Sequence, residues 1–198
     1  MTGMDRETEL ALVGRLREGD PAAFDAVHAE FHPRLFNFLA RLSRRRDVAE
    51  DLLEETWLRL VANARRLDPD TRLGAWLFTV ARHLHVSYCR SRALEDSRGA
   101  SFPGLWPDSP ARPSPFEETA RHELERRVEA AIAAMPAAYR EVLLLVAVEG
   151  LTPSEAAVIC GVTGEALRQR LSRARALLAR ALDEIDDRGR AILGEVMP

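Results

Sequence analysis

The stretch from Leu151 to Arg180 constrains the fold more than any other part of the chain, because it predicts two helices joined by a tight turn. Thr152 and Glu155 form a capping-box pattern, and a proline takes the first helical position, where no amide donor is missed. Gly161 permits the positive backbone angle that a tight turn between helices needs. Thr163 can cap the second helix. The stretch therefore predicts a helix-turn-helix.

The second of these helices has an apolar side and a basic side. Steps of three and four residues predict a buried stripe of Leu167, Leu171, Ala174, Leu178 and Leu182. The outer face and its flanks are left with Glu165, Arg168, Gln169, Arg170, Ser172, Arg173 and Arg175. Arginine can donate two hydrogen bonds to guanine and glutamine two to adenine, so such a helix suits the major groove of DNA. The alternative is a helical hairpin whose arginines are simply solvated.

The remaining segments also follow helical periodicity, and the sequence holds no strand pattern, phosphate-binding glycine loop or nucleophile elbow. We predict an all-α protein with two small helical domains, residues 1–94 and 119–182. Residues 95–118 hold five prolines and predict a flexible linker, and 183–198 form a short acidic tail. No stretch is apolar for long enough to cross a membrane, and the N-terminus lacks the layout of a secretory signal. We therefore expect a cytoplasmic protein.

Acidic and basic residues are concentrated in different segments of the chain, although the net charge is only −3. There is no lysine, so the cationic side chains are arginines. The helix predicted to begin at Asp47 carries acids at steps of three and four residues, which places them on one face. This acidic stripe consists of Asp47, Glu50, Asp51, Glu54 and Glu55, and the buried side is predicted to hold Leu52, Leu53, Trp57, Leu60 and Val61. An acidic face would repel DNA and could dock a basic protein surface. An ordinary solvated face is the alternative.

The other helices are predicted from the same periodicity. They cover Thr8–Glu18, a segment capped by Asp20 with an apolar face up to Pro33, Leu73–Leu94, a helix from about Thr119 to Met135, and a buried core helix that ends at Gly150. The run Arg44-Arg45-Arg46 predicts a solvated turn or a phosphate contact, and the polar break from Leu67 to Arg72 predicts a loop.

His83, His85 and Cys89 raise the question of a metal site. His83 and His85 diverge by roughly half a turn, and no nearby cysteine or histidine completes four ligands. We predict neither a metal nor a cofactor. Cys89 and Cys160 are expected to be buried small side chains rather than a disulfide.

Taken in order, these elements resemble the bacterial RNA polymerase sigma factors of the extracytoplasmic-function (ECF) group, which keep only conserved regions 2 and 4. The resemblance covers nearly all of residues 9–182. It is carried by GDPAAFDAVHAEFHPRLFNF, AEDLLEETWLRL, RLGAWLFTVARHLHVSYCRSR, AIAAMPAAYREVLLLVAVEGLTPSEAA and LRQRLSRARALL. It implies a transcription initiation factor, not an enzyme, that binds core RNA polymerase, duplex and locally melted promoter DNA, and an anti-sigma factor.

The resemblance also implies roles for single residues. Polymerase would be bound by Asp47, Asp51, Glu54 and Glu55, through a basic coiled coil of its largest subunit. The minus-ten element would be held and melted by Arg66, Asp70, Thr71, Arg72, Arg82, His83 and Arg90. Arg168, Gln169 and Arg173 would read the minus-thirty-five element, while Arg170 and Arg175 position the helix on phosphates. Glu54 and His83 stand where the family usually has glutamine and asparagine, and Glu165-Ala166-Leu167 replaces Gly-Thr-Val, so no promoter sequence is transferred.

Two other classes of protein remain open at this point. A freestanding helix-turn-helix regulator that never joins polymerase would make the acidic stripe an ordinary solvated surface. A metal-dependent enzyme built on His83, His85 and Cys89 would carry stoichiometric metal.

Overall fold

The computed structural model describes residues 4–97 and 120–196, with side chains for 4–94 and 125–183. All regular structure in these residues is helical, which confirms the predicted all-α fold. The helices are α1 (Arg6–Glu18), α2 (Pro21–Ser43), α3 (Arg46–Asn63), α4 (Leu73–Ser97), α5 (Ala120–Ala134), α6 (Ala137–Leu143), α7 (Pro153–Cys160) and α8 (Gly164–Val196). A 3₁₀ turn, Ala64–Arg66, follows α3, and a π turn, Leu144–Val148, follows α6. None of the described helices combines the length and apolar character needed to span a bilayer.

The N-terminal unit consists of α1 to α4. Asp5 caps α1 by accepting from the Thr8 amide at 3.0 Å, so the helix begins before the predicted Thr8 and ends at Gly19, where φ is 82°. Asp20 caps α2 as predicted, through the Ala22 amide at 2.9 Å. The cap at Asp20 is a contact between near neighbours in the chain, which is why the sequence alone could predict it.

Helix α2 continues through Pro33 to Ser43, ten residues beyond the face predicted from the sequence. A proline inside a helix removes one backbone hydrogen bond, a cost that burial of the following apolar turns can offset. Leu35, Phe38 and Leu39 are fully buried there, and the Phe38 and Phe78 rings meet edge to face with centroids 5.3 Å apart. Arg44 and Arg45 then form the turn into α3. Arg46 is the first residue of α3, and its Nε atom lies 2.8 Å from Glu50 Oε1.

The prediction for the buried side of α3 was right for four residues and wrong for Val61. Leu52, Leu53, Trp57 and Leu60 are buried, whereas Val61 is 60% exposed. Val61 lies seven residues after Glu54, which is close to two helical turns, so it shares the face of that exposed carboxylate.

The C-terminal unit consists of α5 to α8. The predicted core helix is α6, but it passes into the π turn, in which the Glu149 amide donates to the Leu144 carbonyl five residues back at 2.9 Å. Val142 to Leu145 are buried, while Ala147 and Val148 are exposed, which corrects the expectation that the core helix stays buried up to its end at Gly150. A π turn adds a residue to the helical repeat and rotates the residues after it away from the buried face.

The predicted helix-turn-helix is present as α7 and α8. Both bonds of the capping box join Thr152 and Glu155, and Gly161 ends α7 with φ at 64°. The α8 backbone continues well beyond Leu182, to Val196. The two units touch, with α4 against α7 and α2 against α6. Most of the predicted linker, including Trp106, lies outside the described residues.

Candidate protein-docking and DNA-binding surfaces

Helix α8 presents the predicted outer face to solvent. Leu167, Leu171 and Ala174 are buried, and the Thr163 hydroxyl caps the helix by accepting from the Ala166 amide at 3.2 Å. The exposed side chains are Glu165, Arg168, Gln169, Ser172, Arg173 and Arg175, while Arg170 is half-buried. Among the described side chains, no carboxylate forms an ion pair with these four arginines. Their charge is therefore available to phosphates or base edges.

The acidic stripe lies on the solvent side of α3. Asp47 pairs with Arg45, Glu50 with Arg46 and Glu55 with Arg59, and the hydrogen bond from Arg45 holds the pKa of Asp47 below its usual value. Asp51 and Glu54 are exposed and have no ion pair within the described part of the chain. Their charges are the ones left uncompensated for a partner.

An apolar groove adjoins the acidic stripe, and the sequence did not reveal it. This α2/α3 groove is lined by Phe24, His28, His32, Pro33, Phe36, Arg46, Glu50, Leu53, Glu54, Trp57, Leu58 and Val61. Leu58 and Val61 are 55% and 60% exposed. Glu50, Glu54, Leu58 and Val61 follow one another at helical steps, so the acidic stripe runs directly into exposed apolar surface. This spacing could have revealed the groove from the sequence, because it places the apolar Leu58 and Val61 on the same exposed face as the acids.

A pair of histidines forms one wall of the α2/α3 groove. The His32 Nδ1 and His28 Nε2 atoms are 3.0 Å apart, and the His28 ring centroid lies 4.7 Å from that of Trp57. Burial, followed by the neighbouring His28, lowers the pKa of His32. The lowered pKa favours the neutral form of the His32 imidazole at neutral pH.

The loop between α3 and α4, where four of the predicted minus-ten residues lie, is held in place by α1. The Arg6 guanidinium donates to the Asp70 carbonyl at 2.7 Å and to the Thr71 carbonyl at 3.2 Å. Arg66, Asp70 and Arg72 are exposed and Thr71 is half-buried. The loop therefore presents polar and basic groups from a fixed backbone.

The predicted DNA-binding residues of α4 lie on two sides of the helix, one facing solvent and one facing the C-terminal unit. His83, Ser87 and Arg90 are exposed at i, i+4 and i+7, which makes one solvent-facing stripe. Arg82 instead faces the C-terminal unit, where its Nε lies 2.6 Å from Glu141 Oε1. Arg72 in the preceding loop is 3.9 Å from Glu155 Oε1 of α7. Two arginines assigned to the minus-ten element are therefore beside carboxylates of the other unit.

Of the three residues considered for a metal site, His85 and Cys89 lie together and His83 lies apart from them. His85 is buried with its Nε2 atom 3.6 Å from Cys89 Sγ, while His83 lies on the exposed stripe. Within the described residues, no three or more histidine, cysteine or acidic side chains are grouped as metal ligands. Both cysteines are free thiols; Cys160 is buried as expected, but Cys89 is exposed, which corrects that prediction. Burial and the Glu141 carboxylate raise the pKa of Cys160 to about 12.

Comparison with known proteins accounts for this arrangement. The family model for Sigma-70 region 2 matches residues 27–95, and the model for Sigma-70, region 4 matches residues 125–178. The first span contains the acidic stripe and all but the last two residues of α4, and the second contains α7 and the first half of α8. The chain is thus a sigma factor that carries regions 2 and 4.

Similar proteins identify the group of sigma factors to which the chain belongs. The chain is 36% identical to the ECF RNA polymerase sigma factor EcfG of Rhodopseudomonas palustris (strain TIE-1), over 82% of this chain and 90% of that protein. It is 34% identical to the probable RNA polymerase sigma-C factor of Mycobacterium bovis, over 94% of this chain and 97% of that protein. A solved structure of the sigma factor RpoE in complex with the anti-sigma factor NepR, from Bartonella quintana, matches with a TM-score of 0.68 and 28% identity, over 81% of this chain and 96% of that one. The chain belongs to the ECF group of RNA polymerase sigma factors.

Proposed function

We propose that this sigma factor docks on core RNA polymerase through the acidic stripe and the α2/α3 groove, and holds promoter DNA with α4, its preceding loop and α8. The observation that supports this division is the separation of uncompensated charge. Asp51 and Glu54 on α3 lack cationic partners, whereas Arg168, Arg173 and Arg175 on α8 lack acidic ones, within the described residues. Surfaces of opposite sign on separate elements suit a protein partner with a basic face and a polyanion.

We assign the partner surface on α3 to a basic helical segment of the polymerase. Glu50 and Glu54 border the groove while Leu58 and Val61 continue it, so a helix with a basic rim and an apolar face fits both parts. A freestanding DNA-binding regulator would have no use for this combination.

We also propose that residues 1–94 and 119–182 act as separate units joined by 95–118, so that one molecule can bind both promoter elements.

The experiment that tests the docking surface compares two pairs of substitutions. Asp51→Asn with Glu54→Gln should weaken binding to core polymerase by about tenfold or more. Charge pairs across a complementary interface have coupling free energies large enough for a loss of this size. Glu7→Gln with Glu18→Gln removes the same charge from exposed positions of α1 and should leave the affinity unchanged. Equal losses in both pairs would mean that only net charge matters and would refute the assignment to α3.

We further propose that the chain binds an anti-sigma factor, and the support is its similarity to RpoE, which was crystallised with NepR. We place the protein in the cytoplasm, where core polymerase works, and expect it to position the polymerase rather than to catalyse a reaction. Transcription reconstituted with core polymerase over a randomised promoter library tests the role and identifies both elements. Absence of any sigma-dependent transcript would remove the proposal.

A further inference from the structure

The loop between α3 and α4 is buried at both of its ends and exposed in its middle. Leu67 and Leu73, at the two ends, are buried. Asp68 and Asp70, between them, are exposed. The Asp68 carboxylate accepts from the Asp70 amide at 2.8 Å, and the Asp68 carbonyl accepts from the Thr71 amide at 2.9 Å. These local bonds shape a turn, but they do not attach the turn to the rest of the molecule.

Arg6, the first residue of α1, attaches the exposed part of this loop to the helix. Its Nη2 atom lies 2.7 Å from the Asp70 carbonyl oxygen, and its Nη1 atom lies 3.2 Å from the Thr71 carbonyl oxygen. The two carbonyls belong to adjacent residues, so one planar guanidinium holds both peptide groups at once. Helix α1 also packs against the 3₁₀ turn Ala64–Arg66, where the loop begins. The first helix therefore supports the loop at two points.

Glu9 holds the Arg6 side chain in the position that this contact requires. Its carboxylate lies 2.8 Å from Arg6 Nη1, three residues along α1, and its side chain is only 10% exposed. The Arg6 side chain is 35% exposed, so solvated rotamers would be open to it without this ion pair. A carboxylate repels phosphate, so Glu9 is unsuited to contact DNA itself. Its available role is to orient Arg6.

The Arg6 guanidinium is already bonded to oxygens of the protein. Nη1 is shared between Glu9 and the Thr71 carbonyl, and Nη2 donates to the Asp70 carbonyl. A phosphate would have to compete with all three bonds. Arg66, in the adjacent 3₁₀ turn, is exposed, and no carboxylate among the described side chains forms an ion pair with it. Arg66 is therefore the better phosphate contact, and Arg6 the better support for the loop.

We propose that Arg6, held by Glu9, is a positioning residue for the minus-ten element, because it fixes the backbone at Asp70 and Thr71 from which the loop discriminates between bases. The inference rests on the proposed function, in which this loop holds the minus-ten element, and adds two residues of α1 to it. Hydrogen bonds distinguish bases when their donors and acceptors are held to within about 0.5 Å. A loop that moves would still attract phosphate through its arginines but would no longer reject the wrong base.

Two substitutions of Arg6 separate positioning from charge. Transcription is reconstituted with core polymerase over a promoter library randomised at both elements, and base preferences are counted at each position. In Arg6→Gln the strongest preference within the minus-ten element should fall about tenfold, the scale of a displaced hydrogen bond in base recognition. Arg6→Lys keeps the charge but lacks the planar fork, so it should also lose most of this preference. If Arg6→Lys behaves as the wild type and Arg6→Gln weakens all sequences alike, Arg6 is a phosphate contact and the proposal is wrong.

Glu9→Gln adds a test in which the two explanations predict opposite signs. If Glu9 orients Arg6, the variant should lose minus-ten preference as Arg6→Gln does. If Glu9 acts only through its charge, its removal should strengthen binding to every sequence, since less negative charge faces the DNA. Arg17→Gln removes an exposed arginine of the same helix and should leave the minus-ten preference unchanged.

The same transcripts contain an internal control, which is the preference at the upstream element that α8 is proposed to read. This preference should be unchanged in every variant, which shows that each variant is folded and bound to polymerase. If the wild type shows a minus-ten preference that the Arg6 and Glu9 variants retain, the positioning role is refuted while the initiation role stands. If the wild type yields no sigma-dependent transcript, the initiation role fails and the positioning role fails with it.

Discussion

Arg173 and Arg175 are both exposed on α8, yet they are expected to act differently on DNA. They lie two residues apart and so point to different sides of the helix, with Arg173 on the outer face and Arg175 on its flank. Arg173→Ala should relax the preference at one base of the upstream element by about 1–3 kcal/mol, whereas Arg175→Ala should weaken all sequences alike and reduce the salt dependence. Transcription from a randomised promoter library separates the two effects, and equal profiles for both variants would contradict the division.

His32 in the α2/α3 groove predicts a pH dependence of polymerase docking. Because burial lowers the pKa of His32, the free protein holds this imidazole neutral down to pH values below the ordinary 6.5. A basic partner would lower the pKa further, so binding is fully present above this range and is lost as the pH falls through it. Affinity for core polymerase should therefore decrease between pH 7.5 and 5.5.

His28→Asn with His32→Asn is the matched variant for this prediction, since the amide retains a hydrogen-bonding group without titrating. The variant should bind core polymerase with a flatter pH profile than the wild type. An unchanged slope in the variant would assign the pH dependence to other groups, such as the acidic stripe.

The exposure of a residue could be predicted from the sequence where the packing of its own helix determines it. The prediction failed where a residue from a distant element determines it. The outer face of α8 follows from its own apolar stripe, which packs Leu167 and Leu171 inward. Arg82 shows the opposite case, since its partner Glu141 comes from the other unit and no local pattern marks the pair. Val61 was assigned to the core because it is apolar, although its register with Glu54 places it in solvent.

At the scale of the element, α7 depends on its capping box because it is only eight residues long. Thr152 accepts from the Glu155 amide at 3.2 Å, and Glu155 accepts in return from the Thr152 amide at 2.9 Å. Thr152→Ala should lower the free energy of unfolding by about 1 kcal/mol, measured by urea denaturation. Ser154→Ala, at an exposed position of the same turn, is the control and should change stability little. Equal losses from the two substitutions would show that the cap contributes nothing specific.

Helix α3 should use its exposed apolar residues for docking rather than for folding. Leu58→Ser with Val61→Ser is expected to weaken polymerase binding by about 1–2 kcal/mol, because two large apolar side chains would no longer be buried by the partner. The melting temperature should stay near that of the wild type, since both side chains already lie largely in solvent. Loss of stability together with binding would show instead that they support the fold.

The sequence predicted elements best where their boundaries are set by nearby residues. The caps at Asp20 and Thr152 and the turn at Gly161 are local, and each was found. Continuation of α2 through Pro33 and the π turn after α6 depend on how later apolar residues fit a core, so periodicity alone misplaced them. The α2/α3 groove was missed for the same reason, because it exists only where two helices meet.

At the scale of the whole molecule, two buried groups at the contact between the units should respond to acid in opposite directions. Burial lowers the pKa of His85, and the nearby charges of Arg140 and Arg82 add to this effect. Burial raises the pKa of Glu149, although Arg34 and Arg41 oppose the shift. Separation of the units would return both groups toward their ordinary values, so each links proton binding to opening.

The signs follow from which form binds the proton more tightly. The separated form protonates His85 first, so the packed form loses stability as the pH falls through the range below 6.5. The packed form protonates Glu149 first, so it gains stability as the pH falls through the range that begins above the ordinary value of 4.5. Each variant therefore leaves only the other group to titrate. As the pH is lowered from 7.5 to 4.5, the packed fraction, measured by energy transfer between dyes on the two units, should fall in Glu149→Gln and rise in His85→Asn. Parallel slopes in the two variants would place the titrating groups elsewhere and leave the contact between the units insensitive to these two residues.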